Sequence, residues 1–419
     1  MRNYLPKKSD YLGFKVNWRS DLIAGITVGI VALPLALAFG ITTGTGATSG
    51  LITAIIAGFL AAIFGGSNYQ VSGPTGAMTV VLVPIVTKFG TAALVPLGIS
   101  AGILVIVAGL FRSGSLINKV PWPVMEGFTL GIALVIALQQ LPGALAVSSK
   151  PGGSTIGTAV KTFKSAWETG LNWKSISIVI LTLAIKFSYP KIAEKFHFKV
   201  HIPASFIAII LMTSIVFIFQ LQIPMVGDLP RNIFKLSDFQ NTIPFKSMVI
   251  PVIEIALLAA IESLLSARLA DGMARHREDF RHYEPNRELI GQGIASTVSS
   301  IFGGLPATGA IARTGVNVRS GARTRASAAI HALFLLAAIF LINPVISQIP
   351  TAALAGILIG TSYRIARPSA IKEALATTKI DAIALLVTAA IVLIVDLIWG
   401  IAIGTILYLL LKTFQKGKK

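Results

Sequence analysis

The chain of 419 residues is 54% hydrophobic and only 13% charged, with mean hydropathy +0.78 and a formal net charge of +19. Soluble domains carry about 25% charged residues, so a soluble enzyme or binding module is excluded. The positive charge falls in short loops between apolar runs, which marks membrane topology rather than a nucleic-acid partner, and the absence of cysteine excludes disulfide and thiol chemistry.

Residues 1–20 carry Arg2, Lys7, Lys8, Lys15 and Arg19, with Tyr11, Phe14 and Trp18 as interfacial aromatics, and are expected in the cytoplasm. This basic start leads straight into a full-length span, so no cleavable signal peptide is expected. Span 1 is predicted over 22–41, broken or kinked near Pro34. Span 2 covers 49–64, span 3 is a half-helix after Pro74, and spans 4 and 5 cover 94–111 and 123–141. Residues 144–172 read as a polar loop rich in Gly, Ser and Thr. Spans 6 and 7 follow at 175–187 and 202–221, with a second loop at 222–245. Spans 8 and 9 cover 249–269 and 289–302, and span 10 is a short segment from Gly309. Spans 11 to 14 cover 326–342, 351–363, 380–395 and 397–411. Several of these fourteen are shorter than the ~20 residues of a full crossing.

With both termini in the cytoplasm, most of the 36 Lys and Arg residues fall in cytoplasmic loops. An odd number of spans separates span 1 from span 8, so the second half repeats the first upside down. The expected fold is therefore an all-α polytopic membrane protein with fourteen spans in a 7+7 inverted repeat. Its two half-helices, spans 3 and 10, enter from opposite faces with their N-termini meeting near the midplane.

Those two half-helices share a preceding pattern. Ile63-Phe64-Gly65-Gly66 precedes Thr75-Gly76-Ala77, and Ile301-Phe302-Gly303-Gly304 precedes Thr308-Gly309-Ala310. In the first copy Tyr69 to Val71 reads as a short extended piece, and Gly73-Pro74 ends any helix arriving from the left. A helix that starts at membrane depth exposes unpaired N–H groups and the positive end of its dipole. Such backbone must line a cavity or be buried in protein, and a bound anion is a natural partner. Paired broken segments point to a transporter's binding site; the bland reading is two unrelated tight turns.

Arg313 lies early in the second half-helix. An Arg at depth needs a water-filled cavity or an anionic partner, so it reads as an anion ligand or as the structural partner of Glu262. Glu262 sits in the middle of span 8 with Ser266 on the same face at i+4. It can take up a proton, ligate sodium together with Ser266, or neutralise Arg313. Glu254, which snorkels, His331, packed and hydrogen-bonded, and Asp396, in a tight turn, are weaker candidates. Gly-x-x-x-Gly occurs at Gly25/Gly29, Gly98/Gly102, Gly127/Gly131, Gly356/Gly360 and Gly400/Gly404. These pairs serve either a homodimer or close helix packing within the chain. No nucleotide motif, metal cluster or nucleophile pair appears, so neither an enzyme nor a resident cofactor is expected.

Asp21 to Thr27 with Pro34, Gln70 to Met78, Glu262 to Gly272 and Thr308 to Arg313 together resemble the SulP family of anion transporters, the sulfate permeases. The resemblance covers nearly the whole chain and is strongest to short bacterial members. It implies a uracil-permease-like fold, with a core domain (21–112 and 246–343) moving against a gate domain (113–245 and 344–412), between cytoplasmic segments 1–20 and 413–419. It implies a substrate site at Gln70, Thr75, Gly76, Ala77, Glu262, Ala310, Ala312, Arg313 and the Pro34 break, to which the second helix start adds Thr308 and Gly309. In the family's bicarbonate type, an acid on span 8 and a hydroxyl four residues later bind sodium. Glu262 and Ser266 match in place, with Glu for the usual Asp. Most members continue into a soluble C-terminal regulatory domain, expected to be absent here because Lys419 follows span 14 closely. The expected function is secondary active transport of bicarbonate, sulfate or a dicarboxylate across a bacterial inner membrane, by alternating access and with a proton or sodium ion in symport. The rival readings are an uncoupled channel or exchanger of the same fold and a non-transporting scaffold.

Overall fold

The computed structural model describes residues 6–7, 10, 13–115, 120–147, 154–196, 202–229, 236–237, 244–277, 280–395 and 397–416. In chain order, α1 (Phe14–Thr42) is followed by α2 (Ala47–Ile52) and α3 (Gly58–Phe64), one interrupted helix joined by a π-helical turn at Thr53–Ala57. Then come β1 (Ser72–Gly73), α4 (Gly76–Phe89), α5 (Leu94–Leu110), α6 (Trp122–Gln139), α7 (Leu141–Leu145), α8 (Thr155–Thr169), α9 (Trp173–Lys195) and α10 (Ala204–Ile218). The second half contains α11 (Phe245–Ala274), α12 (Pro285–Ile301), β2 (Thr308–Gly309), α13 (Ile311–Arg319), α14 (Ala326–Ile346), α15 (Thr351–Ile365), α16 (Pro368–Thr377), α17 (Lys379–Ile394) and α18 (Leu397–Lys416). Among the described residues, eight helices are long and apolar enough to cross a membrane, and α4 and α10 are shorter apolar helices.

Three expectations change. First, α1 starts at Phe14 and runs unbroken through Pro34. Proline removes one N–H from the ladder, and packed membrane helices absorb that loss. Second, the expected polar loop at 144–172 contains α8, whose N-cap Ser154 accepts from Gly157 N–H at 3.0 Å. Third, the basic loop after span 12 contains α16. In both loops composition masks an amphipathic period. On α8, Ala159, Thr162 and Ala166 are buried, while Ile156, Val160, Phe163 and Trp167 form an exposed apolar stripe. Asp396 lies outside the described residues.

All five Gly-x-x-x-Gly pairs mark helix crossings inside the chain. Gly25 and Gly29 bring α1 against Ile330 and Phe334 of α14, and Gly98 and Gly102 bring α5 against Ser300 and Thr297 of α12. Gly127 and Gly131 sit on Leu385 and Val392 of α17, Gly356 and Gly360 on Thr182 and Lys186 of α9, and Gly400 and Gly404 on Val392 and Thr388 of α17. A missing Cβ at each lets backbones approach closely. These pairs are thus used for packing and give a homodimer no support.

β1 and β2 join the two halves. They pair antiparallel, Ser72 opposite Gly309 and Gly73 opposite Thr308, and Ala310 N–H extends the ladder to the Val71 carbonyl at 2.8 Å. The strands precede α4 and α13 directly, so the pair fixes where both short helices begin.

Candidate functional site

The two Thr-Gly-Ala copies occupy different positions. Thr75 is the N-cap of α4, with an extended backbone and a hydroxyl that accepts from Met78 N–H at 3.3 Å. Thr308 and Gly309 are drawn into β2 instead, so α13 starts two residues later, after Ala310, without a side-chain cap. Both threonines nevertheless reach the same atom. The Thr75 and Thr308 hydroxyls each donate to Glu262 Oε2 at 2.7 Å and lie 3.0 Å from each other. A carboxylate on α11 thus bridges the entries of both short helices, at the ends where their dipoles favour negative charge.

Arg313 is fully buried, and its Nη2 donates to the Pro74 carbonyl at 2.5 Å. It makes no direct ion pair with Glu262 among the described residues, so the expected structural pairing is not the arrangement seen. Helical side chains lean toward the N-terminus, which carries the guanidinium back over the strand pair to Gly73 and Pro74. Gly73 has φ +151°, and a Cβ there would lie 2.8 Å from Arg313 Nη1. Nη1 itself has no hydrogen-bond partner among the described residues.

The remaining candidates divide. Gln70 is buried, donates through Nε2 to Glu288 Oε1 at 2.8 Å, and lies against Gly309. Ala77 and Ala310 are buried beside the helix starts, whereas Ala312 is exposed. Gly76 faces Ile136 of α6 and Phe39 of α1. Ser266 does not join Glu262; its hydroxyl donates to Thr314 Oγ1 at 3.0 Å, and Thr314 also accepts from Val71 N–H at 3.0 Å. Glu254 is half-buried. His331 is fully buried one turn along α14 from Ala328, apart from the Glu262–threonine cluster.

Sequence reasoning passed over the residues that brace these groups. Ser263 Oγ accepts from Gly309 N–H at 3.0 Å, and Asn317 Nδ2 donates to the Tyr69 carbonyl at 2.8 Å. Glu288 and Gln292 hold Gln70 and Ser72. The available signal was four-residue spacing: polar residues recur on one face of an otherwise apolar span.

The sulfate permease family matches residues 18–388. The chain belongs to that family. It is accordingly a membrane anion transporter and not an enzyme. It is 34% identical over 400 residues to the YvdB protein of Bacillus subtilis (strain 168), covering 93% of this chain and 72% of that one. It is 33% identical over 407 residues to the bicarbonate transporter BicA of Picosynechococcus, covering 93% of this chain and 69% of that one. Among solved structures, the transmembrane domain of a cyanobacterium bicarbonate transporter BicA superposes with a TM-score of 0.82 at 29% identity, over 94% of this chain and 98% of that one. SLC26A9 shares the fold, with a TM-score of 0.83 at 16% identity, over 96% of this chain and 66% of that one.

Proposed function

We propose that this permease is a secondary active transporter that binds an inorganic or carboxylate anion at the starts of α4 and α13 and carries it by alternating access. Bicarbonate, sulfate and dicarboxylates are the candidate substrates; the match to the bicarbonate transporter BicA supports the first. The observation that carries the reading is the convergence of Thr75, Thr308 and Glu262 beside buried Arg313. Two helix N-termini and one guanidinium make a site for negative charge. The antiparallel β1–β2 pair supports a 7+7 inverted repeat of fourteen spans. In this reading the core domain (21–112 and 246–343) carries the anion past the gate domain (113–245 and 344–412). The membrane is a bacterial inner membrane, with both termini cytoplasmic.

Coupling runs through Glu262. Ionised, it holds both threonine hydroxyls and competes with an arriving anion for the same donors. Once protonated it releases negative charge from the helix starts, so proton and anion binding reinforce one another, as symport requires. Sodium is the second reading. The Thr75 and Thr308 hydroxyls beside Glu262 favour it, because they add oxygen ligands; the engagement of Ser266 with Thr314 counts against it.

The test is uptake by purified protein in liposomes, with a panel of anions under imposed proton and then sodium gradients. Arg313→Ala should weaken anion binding by about tenfold or more while the protein stays folded. Glu262→Gln mimics the protonated acid and should exchange anions without concentrating them. Concentrative uptake by Glu262→Gln under the same gradient as wild type would remove Glu262 from coupling.

A further inference from the structure

Glu288, Gln292, Ser296 and Ser299 follow one another along α12 at helical spacing and share a face. All four are buried. Glu288 Oε2 accepts from Gly66 N–H at 2.8 Å and Ser67 N–H at 3.2 Å, and its Oε1 accepts from Gln70 Nε2 at 2.8 Å and Gln292 Nε2 at 2.9 Å. Gln292 Nε2 also donates to Ser72 Oγ on β1. Farther along the same face, Ser296 Oγ accepts from Ala307 N–H at 2.9 Å and donates to the Ala307 carbonyl at 3.0 Å. Ser299 Oγ donates to the Leu305 carbonyl at 3.3 Å. The first half of this row holds the segment entering α4; the second half holds the segment entering α13.

From this juxtaposition we infer that α12 is the template that sets both half-helix starts in register, and that Glu288 is a positioning residue acting on the anion site through Gln70. The inference rests on the anion site proposed above. A buried carboxylate is a poor choice for stability alone, since well-packed apolar residues do as well or better. What it supplies is direction. With N–H donors on both oxygens, it fixes which end of the Gln70 carboxamide faces it. Gln70 is in turn wedged against β2: a Cβ on Gly309 would lie 1.9 Å from Gln70 Nε2. Displacement of Gln70 therefore shifts β2, and with it Thr308 and its bond to Glu262.

The experiment uses the full chain in liposomes, with hydrogencarbonate, sulfate or succinate as the probe, whichever wild type carries. Glu288→Gln should raise KM by about tenfold or more with maximal rate little changed, and should lower the unfolding midpoint, since one oxygen's N–H donors then face an amide N–H. Gln70→Ala should raise KM alone, and the double variant should be no worse than the more severe single one, because the two residues act in series. An unchanged KM in folded Glu288→Gln, or effects that multiply in the double variant, overturns the proposal. If Glu288→Gln does not fold, Ser296→Ala tests the other half of the template. It should raise KM through the α13 start; an unchanged KM again counts against the proposal. Hydrogen exchange gives a readout independent of transport. Glu288→Gln should speed exchange over 66–72 and also over 308–310. Faster exchange at 66–67 alone overturns the template even if wild type carries none of the three anions, an outcome that would by itself refute only the anion reading.

Discussion

At residue depth, charge is handled by backbone as much as by counter-charge. Arg313 donates to the Pro74 carbonyl, and Glu262 is held by two hydroxyls rather than by the guanidinium. Both residues are legible in the sequence because charges in apolar spans are rare. The partner of Arg313 is not, because a carbonyl acceptor leaves no mark in composition. Asp21 shows the same limit. It sits on α1, fully buried, and accepts from Arg323 N–H at 2.8 Å, Thr324 N–H at 3.0 Å and the Thr324 hydroxyl at 2.6 Å. It thereby ties α1 to the turn that leads into α14. Asp21→Ala leaves those amides without their acceptor, which costs about 1–3 kcal/mol for each buried group. Asp21→Asn keeps one acceptor oxygen and should lose less. Thermal unfolding in detergent checks the order wild type, Asn, Ala; equal midpoints for all three would rule out the tethering role.

At the scale of elements, what the sequence announces depends on which period is read. The short helices α4 and α13 are visible through their Gly and Pro breakers, but strand pairing moves the start of α13 past Gly309 to Ile311. That shift is a long-range effect, and local propensity carries no trace of it. The polar row of α12 is visible as spacing, yet its purpose appears only when both incoming segments lie against it. The α8 helix was hidden for a different reason: its Gly, Ser and Thr content suggests a loop, although Ile156, Val160, Phe163 and Trp167 recur at helical intervals. Its buried face is small and its exposed face carries those four apolar side chains beside Lys161 and Lys164. Such a helix is expected to rest in the headgroup region, with its aromatics just below and its lysines beside phosphate. A variant retaining only Trp167 of the five tryptophans should emit at short wavelength. Its emission should be quenched by lipids brominated high on the acyl chain and little by aqueous iodide. Red-shifted emission with strong iodide quenching would place α8 in water instead.

For the molecule as a whole, the proposed inverted repeat makes a demand that neither helix lengths nor composition can meet. Inversion requires that corresponding elements of the two halves face opposite sides of the membrane. Two such elements are α8, between α7 and α9, and α16, between α15 and α17. Each follows a span that is kept close to its neighbour by Gly-x-x-x-Gly, and each was first read as loop. If the halves are inverted, α8 lies outside and α16 lies on the cytoplasmic side, with the end of α18. The chain has no cysteine, so single substitutions give a clean background. Glu168→Cys on α8, Lys372→Cys on α16 and Gln415→Cys on α18 all alter exposed positions. None of the three is a hydrogen-bonded cap, so a cysteine at each leaves its helix start intact. An impermeant maleimide added to spheroplasts should label Glu168→Cys and spare the other two until the membrane is permeabilised. Labelling of both Glu168→Cys and Lys372→Cys in sealed spheroplasts would put α8 and α16 on one face, which no 7+7 inversion allows. Labelling of Gln415→Cys alone would turn the whole molecule over, and the positive loops would then have to be explained without the positive-inside rule.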